Sequence, residues 1–439
     1  MATSLGIKGS TGVPVLATAP QVASLRASLG LDAVDNTADA NKPANAAFTN
    51  ALAVAVAAKI GGGPPPSGAS FRVTAGKIYD GAGTHIQIRG ISHFGFNADI
   101  LQPQYLWQMD WKAQLAQIAS LGFNAIRCPF VPQTLYSAAT VDSLSWLVNG
   151  PGNNLWHGLT PLQALDSWMA ECDRLGLYVL LDYHSVSNVR QYPFWFVFNP
   201  ADFPLTYNGL AYPKESWIRD LVFVADRYKA NPHFMGIDVY NEPNGTVRWD
   251  AGDPAMTQSQ YYWKPAVELA AAAILAANPN LLIFVQGITP NFDGIENSTM
   301  PINWGENFQP EASKPLLIAA DKLVLCPHTY GPDVSMKTSF AAPNFPANLA
   351  ADWETLFGRF YPAHPVIIGE WGGKFGAGTA GAMDAVWQNA LVDYLLSKGI
   401  SDSYYWCYTP NSGDTGGILD NALAVIPGKM ALLHRLWGV

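Results

Sequence analysis

PLQALDSWMAECDRLGLYVLLDYH, residues 161–184, contains one repeat of the fold in full. Its first part reads as an amphipathic helix over Leu162–Leu175, and the short apolar run Tyr178–Asp182 reads as a buried strand. The run ends on polar residues, Asp182 and His184. The same alternation recurs on both sides. The first strand is predicted near Ile86–Gly90, and later ones at Asn124–Arg127, Gly236–Tyr240, Leu282–Gln286, Leu323–Pro327, Val366–Gly369 and Tyr404–Tyr408. With Tyr178–Asp182 these make eight. Helices are predicted between them at Trp111–Leu121, Ser216–Tyr228, Tyr261–Ala277, Trp353–Phe360 and Ala382–Ser397. Alternating strands and helices over residues 70–439 imply an α/β protein with a parallel sheet. An eight-fold alternation favours a closed (β/α)8 TIM barrel over an open sheet. No strand is followed by GxGxxG or by GxxxxGK with Ser or Thr, which disfavours a nucleotide-binding sheet.

Ahead of the barrel, FRVTAGKIYDGAGTHIQIRG (71–90) reads as a small antiparallel β-hairpin turned at Asp80-Gly81. GGGPPPSGA (61–69) is a Gly/Pro-rich linker. Residues 1–60 form a separate Ala-rich segment with one helical stretch, AAFTNALAVAVAAKI (46–60), too small to bury a core alone. Such a piece should pack against copies of itself or against another protein.

Hydrophobic residues make up 49% of the chain and charged residues 13%, enough to bury a large core and inconsistent with disorder. The net charge of −9 gives nucleic acid and anionic membranes the wrong sign of attraction, so a neutral polymer is the better partner. The 15 Trp suit a protein that holds the faces of sugar rings, although any one of them can equally be core. The N-terminus, MATSLGIKGSTGVPV, has no apolar signal-like region, and no run is long enough to span a membrane. Cys128, Cys172, Cys326 and Cys407 are widely spaced and expected to be buried free thiols.

In a barrel the C-terminal ends of the strands surround the active site. Here they carry Arg127 on the second strand, Asp182 and His184 on the third, and Asn241-Glu242-Pro243 on the fourth. His328 and Tyr330 follow the sixth strand, Glu370-Trp371 the seventh, and Trp406 sits on the eighth. A single such residue is usually a helix cap, but a core has no use for the whole set. Two carboxylates facing each other across a barrel mouth fit glycoside hydrolysis, in which one protonates the leaving oxygen and the other attacks the anomeric carbon. Glu242 then has to enter the reaction protonated and Glu370 ionised. Arg127 and Tyr330 are placed to donate to Glu370, and Asn241 suits the sugar 2-hydroxyl. The site histidines lack an HxH or HExxH partner, so no metal site is expected.

GISHFGF (90–96), LGFNAIRCPF (121–130), LYVLLDYH (177–184), GIDVYNEPNG (236–245), NPNLLIFVQG (278–287), CPHTYGP (326–332), VIIGEWGG (366–373) and YYWCYTPNSGDTGGIL (404–419) together resemble glycoside hydrolase family 5, specifically its bacterial endo-β-1,4-glucanases (cellulases). The resemblance spans Phe71 to the end of the chain. It implies Glu242 as acid/base, Glu370 as nucleophile and Arg127, His184, Asn241, His328, Tyr330 and Trp406 as supporting residues, with no cofactor. His93 stands where many relatives have Trp, and Tyr240 where they often have His. Both bear on subsite preference, and His93 is counted with the substrate-binding residues. Trp304, Trp371, Trp406 and Trp195 are the expected sugar platforms, and SGDTGG (412–417) the loop lining the site after the last strand.

A second, shorter resemblance lies in LGLDAVDNTADANKP (Leu29–Pro43), which is similar to a repeat of bacteriophage tail fibres and tail-associated proteins. It implies attachment to a phage tail, or self-association, through residues 1–60. The chain is then expected in a virion tail or outside the cell, acting on a β-glucan such as cellulose or a cellulose-like exopolysaccharide. Other readings stay open: a family 5 enzyme for mannan or xyloglucan, a free bacterial cellulase, or a tail adhesin that binds glycan without cleaving it.

Overall fold

The structure, a computed structural model, describes two strands at Gly6–Lys8 and Pro14–Leu16, and residues 70–144, 156–186, 206–207, 210–211, 214–244, 247–250, 262–289 and 302–439. The chain divides into two compact units, Met1–Gly61 and Gly62–Val439. In the first, Gly6–Lys8 pairs antiparallel with Pro14–Leu16. The helical stretch 46–60, the linker 61–69 and the aromatic run around Trp195 lie outside the described residues. No helix among the described residues is long and apolar enough to cross a membrane.

The second unit is built on eight strands: β1 Arg89–Ser92, β2 Ala125–Phe130, β3 Tyr178–Tyr183, β4 Phe234–Asp238, β5 Leu282–Val285, β6 Leu323–Leu325, β7 Ile368–Trp371 and β8 Ser403–Tyr405. Each pairs in parallel with the next from β1 to β6, and β7 pairs with β8, which pairs back onto β1. Parallel bridges Leu325↔Val366 and His328↔Glu370 join β6 to β7, closing the (β/α)8 barrel. Both faces of a parallel barrel strand are covered, by the barrel core and by the helices, which is why β2 and β4 are buried along their whole length.

The helices of eight residues or more among the described residues are α1 Trp111–Ser120, α2 Pro161–Arg174, α3 Lys214–Arg227, α4 Trp263–Ala277, α5 Leu349–Leu356, α6 Ala382–Lys398 and α7 Pro427–Trp437. Helix α2 starts on a capping box in which Thr160 and Gln163 satisfy each other's backbone N–H, with Pro161 in the first turn. It buries Ala164, Leu165, Trp168, Met169 and Cys172, the three-to-four spacing of one helix face. Between β5 and β6 the described residues hold a 3-10 turn, Gln309–Ala312. Helix α5 begins four residues before the predicted Trp353 and stops at Leu356, followed by a separate 3-10 turn at Gly358–Phe360.

A three-stranded antiparallel sheet, Arg72–Thr74, Lys77–Tyr79 and His85–Ile86, plugs one end of the barrel. Phe71, Val73, Ile78 and Ile86 share one buried cluster with Ala125, Leu180, Leu282 and Val324 from the strands. The first turn of this sheet is at Ala75-Gly76, with φ of 48° and 74°, the paired positive angles of a tight hairpin. Asp80-Gly81, the expected turn, lies in the second connection, where Asp80 Oδ1 accepts from the Thr84 N–H at 2.7 Å. Ile86 belongs to the plug, so the first barrel strand starts at Arg89. All four cysteines are buried free thiols.

Candidate active site

Arg127, at the middle of β2, is fully buried and is the hub of the site. Its Nε and Nη2 donate to Asp238 Oδ2 at 3.1 and 2.9 Å, and Nη2 also reaches Asn241 Oδ1 at 2.8 Å and Asp182 Oδ2 at 3.0 Å. Nη1 donates to Glu370 Oε1. One guanidinium therefore gathers the ends of β3, β4 and β7, a task for the rigid fork of Arg rather than the point charge of Lys. Three carboxyls around one cation are not neutralised by it. Burial pushes Asp182 up to about 7 and Asp238 up to about 8, against the opposing pull of Arg127.

Glu370 is held on both oxygens, since Tyr330 donates its hydroxyl to Oε2 at 2.7 Å. Glu242 follows β4 and adopts φ 52°, a left-handed conformation that a non-glycine residue rarely takes. His328 lies between them, with Nδ1 at 3.3 Å from Glu242 Oε1 and 3.5 Å from Glu370 Oε2. Burial drives its pKa down to about 3, so the ring is neutral at ordinary pH. Its Nε2 is buried without a partner, which assigns the proton to Nδ1, facing the carboxylates. Donor atoms of Glu242, His328 and Glu370 all lie within 4.8 Å of one another, as do those of Asp182, His184 and Glu370. A metal ion in the second trio would sit against the Arg127 guanidinium, which already contacts Asp182 and Glu370.

These side chains open into a cleft of about 370 Å³, lined by His184, Asn241, Glu242, Asn303, Trp304, Tyr330, Glu370, Trp406, Ser412 and Asp414 among others. A second hollow of about 450 Å³ shares His184, Trp406, Ser412 and Asp414 and adds Phe94, Asn97 and Asn411. Trp406 thus borders both. Its ring lies nearly parallel to Phe94 and His184, with centroids 5.5 and 6.0 Å away, and its Nε1 donates to Ser412 Oγ at 3.1 Å. His184 is oriented by Asp182, whose Oδ2 is 2.6 Å from Nδ1. Trp304 is 36% exposed, available to a ligand in the cleft.

Two expected site residues are elsewhere. Trp371 is fully buried and meets Tyr405 edge-on at 5.0 Å, so it is core and not a sugar platform. Successive strand residues point to opposite sides, and with Glu370 facing the mouth its neighbour must face the helices. His93 is 2% exposed, pairs with Gln114 at 2.8 Å and does not line the cleft. Burial lowers its pKa to about 4, leaving a neutral packing group. Tyr240 is likewise buried, stacked with Tyr183 at 5.9 Å. The 412–417 loop lines the cleft as expected, through Ser412 and Asp414. Conversely, Asp238, Gln286 and Asn303 were not predicted as site residues. Asp238 had a legible signal, an acidic residue inside an apolar strand.

A family model for cellulase (glycosyl hydrolase family 5) matches residues 79–412. The chain belongs to this family. Among curated proteins it is 41% identical over 389 residues to a major extracellular endoglucanase of Xanthomonas campestris pv. campestris, covering 88% of this chain and 75% of that one. It is 32% identical over 352 residues to an endoglucanase of Paenibacillus polymyxa, covering 80% of this chain and 82% of that protein. Among solved structures, the catalytic domain of the Xanthomonas enzyme superposes with a TM-score of 0.75 at 41% identity, covering 84% of this chain and all (100%) of that domain. An endocellulase of Pyrococcus horikoshii, crystallised as a complex with cellotetraose, gives a TM-score of 0.73 at 31% identity, covering 85% and 100%. Eight of the strand-end residues expected from the sequence, Glu242, Glu370, Arg127, His184, Asn241, His328, Tyr330 and Trp406, are gathered around the Arg127 hub and the cleft.

Proposed function

We propose that this chain is an endo-β-1,4-glucanase that hydrolyses internal bonds of cellulose or a cellulose-like exopolysaccharide with retention of anomeric configuration. The observation that carries the mechanism is the spacing of Glu242 and Glu370, which bring an oxygen each to within 4.8 Å across an open cleft. Retaining glycosidases hold their carboxyls about 5–5.5 Å apart, whereas an inverting pair about 6.5–9.5 Å apart leaves room for a water. Glu370, aimed by Arg127 and Tyr330, attacks the anomeric carbon while Glu242 protonates the departing glycosidic oxygen. Water then displaces Glu370 from the sugar, with Glu242 taking the proton. Asn241 Nδ2 is the donor for the sugar 2-hydroxyl, because its Oδ1 is fixed on Arg127. The endoglucanase relatives support the β-glucan substrate.

The test is to follow the hydrolysis of cello-oligosaccharides by proton NMR at early times. Retention predicts that the β-anomer appears first, and α-anomer first would overturn the mechanism. Reducing-sugar release from carboxymethylcellulose, mannan and xyloglucan addresses substrate, and activity on mannan or xyloglucan alone would overturn the cellulase reading. Loss of all turnover from an intact wild-type cleft would favour a glycan-binding adhesin instead.

We also place the enzyme on a phage tail as a depolymerase, on the resemblance of residues 29–43 to tail-fibre repeats. Antibody against the barrel should then label virion tails, and particles without the protein would overturn this location. Removal of residues 1–69 should leave turnover intact.

A further inference from the structure

We infer that Gln286 is a positioning residue for the acid/base, fixing the backbone of Glu242 and tying it to the hub that aims Glu370. This inference rests on the acid/base reading of Glu242. Gln286 follows β5, is fully buried, and does not line the cleft. Its Oε1 accepts the Glu242 main-chain N–H at 2.8 Å, and its Nε2 donates to Asp238 Oδ2 at 2.7 Å. Asp238 is the same oxygen that Arg127 holds, and Arg127 in turn holds Glu370. A continuous line of hydrogen bonds therefore runs from one carboxylate's backbone to the other's side chain. The amide orientation is fixed by its partners, because the flipped rotamer would set two donors face to face at Glu242 and two acceptors face to face at Asp238.

Glu242 needs such a hold. It sits at φ 52° and directly before Pro243, where both the positive angle and the following proline ring restrict the backbone. A conformation of this kind persists only where the surroundings over-determine it. On the far side, Asn244 Nδ2 donates to the Glu242 carbonyl at 2.9 Å. Gln286 is anchored in its turn: Trp263 Nε1 donates to its carbonyl at 2.9 Å. The neighbouring loop also leaves room for the amide. At Gly305, φ 75°, an added Cβ would come within 2.6 Å of Gln286 Oε1. A residue that only filled space would not require both ends of its amide to be matched and a glycine to be kept clear of it.

The test separates proton donation from the rest of catalysis by changing the leaving group. Cellotetraose needs a proton from Glu242, whereas 2,4-dinitrophenyl β-cellobioside releases a phenolate that does not. Gln286→Met, close in volume but unable to make either bond, is expected to lose about 10-fold or more in kcat/KM on cellotetraose. On the dinitrophenyl substrate the loss should be several-fold smaller, because the Arg127 and Tyr330 contacts to Glu370 remain. Gln286→Glu, which when protonated keeps an acceptor for the Glu242 N–H and a donor for Asp238, should recover part of the cellotetraose rate. Gly305→Ala displaces Oε1 while leaving Gln286 in place and should give the same selective loss, so it decides the matter should Gln286→Met not fold. Equal losses on both substrates, or no loss on either, would overturn the role of Gln286. Glu242→Ala run in parallel keeps the two readings apart: if it shows no leaving-group selectivity, the acid/base reading itself fails.

Discussion

Tyr330 donates its hydroxyl to Glu370 Oε2 at 2.7 Å, occupying the oxygen that Arg127 does not. Both oxygens of the proposed nucleophile are thereby held. Tyr330→Phe removes the donor and little else. We expect kcat to fall about 100- to 1,000-fold with KM changed less than about three-fold, as for removal of one preorganised donor. Steady-state kinetics on cellotetraose checks it. An unchanged kcat would mean that Arg127 alone positions the carboxylate.

Arg127→Lys tests the hub. A lysine ammonium cannot contact Asp182, Asp238, Asn241 and Glu370 together, so carboxyls would be left buried beside a misplaced charge. Breaking a buried ionic network of this kind costs about 3–5 kcal/mol. The expected result is a clear fall in Tm by calorimetry, together with at least about a 100-fold drop in kcat. Retention of both would show that the gathered strand ends hold without the guanidinium.

Much of this arrangement was legible in the sequence because barrel strands are short apolar runs that end where polar residues begin. Glu242 and Glu370 stood just past such predicted ends, and so did His184 and His328, while Arg127 closed its own predicted run. The layer beneath was harder to read. Asp238 and Gln286 fall within or at the tip of apolar runs, and only the closing of the barrel brings them to Arg127 and to the Glu242 backbone. Trp371 was misread because an aromatic residue beside a candidate catalytic glutamate suits sugar binding, yet strand alternation alone turns it away from the mouth. The Ala75-Gly76 turn was passed over for Asp80-Gly81, the stronger turn signal by composition, since Ala at φ 48° goes against its own preference.

The separation of Trp406 and Trp304 from Trp371 has a measurable consequence. Trp406 and Trp304 border the cleft, so replacing either with Ala should raise KM for cello-oligosaccharides about 5- to 30-fold, the loss of about 1–2 kcal/mol of aromatic contact. Their effect on Tm should be small. Trp371→Ala leaves a void in the core and should cost about 3–5 kcal/mol of stability. Paired thermal unfolding and kinetics on the three variants check this, and a KM effect from Trp371→Ala without loss of stability would restore it as a substrate contact.

Glu311, on the 3-10 turn between β5 and β6, sets part of the pH dependence of stability. It is 3% exposed, and burial raises its pKa to about 7, with the Leu316 N–H on Oε2 at 2.9 Å pulling the other way. His364, 3.8 Å from Oε1, is itself shifted down by burial, and Lys264 pulls the carboxyl down without offsetting its burial. The folded protein therefore binds a proton here that the unfolded chain releases above its ordinary carboxylate range. That contribution is complete below the unfolded pKa, about 4.3 for a free Glu, and is lost as pH rises through about 7. Its size is on the order of 3 kcal/mol at most. Tm should accordingly fall between pH 5 and pH 8.5, and Glu311→Gln, which keeps an acceptor for Leu316 but cannot ionise, should make that fall smaller. Scanning calorimetry of the two proteins across this window decides it, and parallel curves would assign the pH dependence to other buried carboxyls such as Asp238 and Asp182, whose burial acts with the same sign.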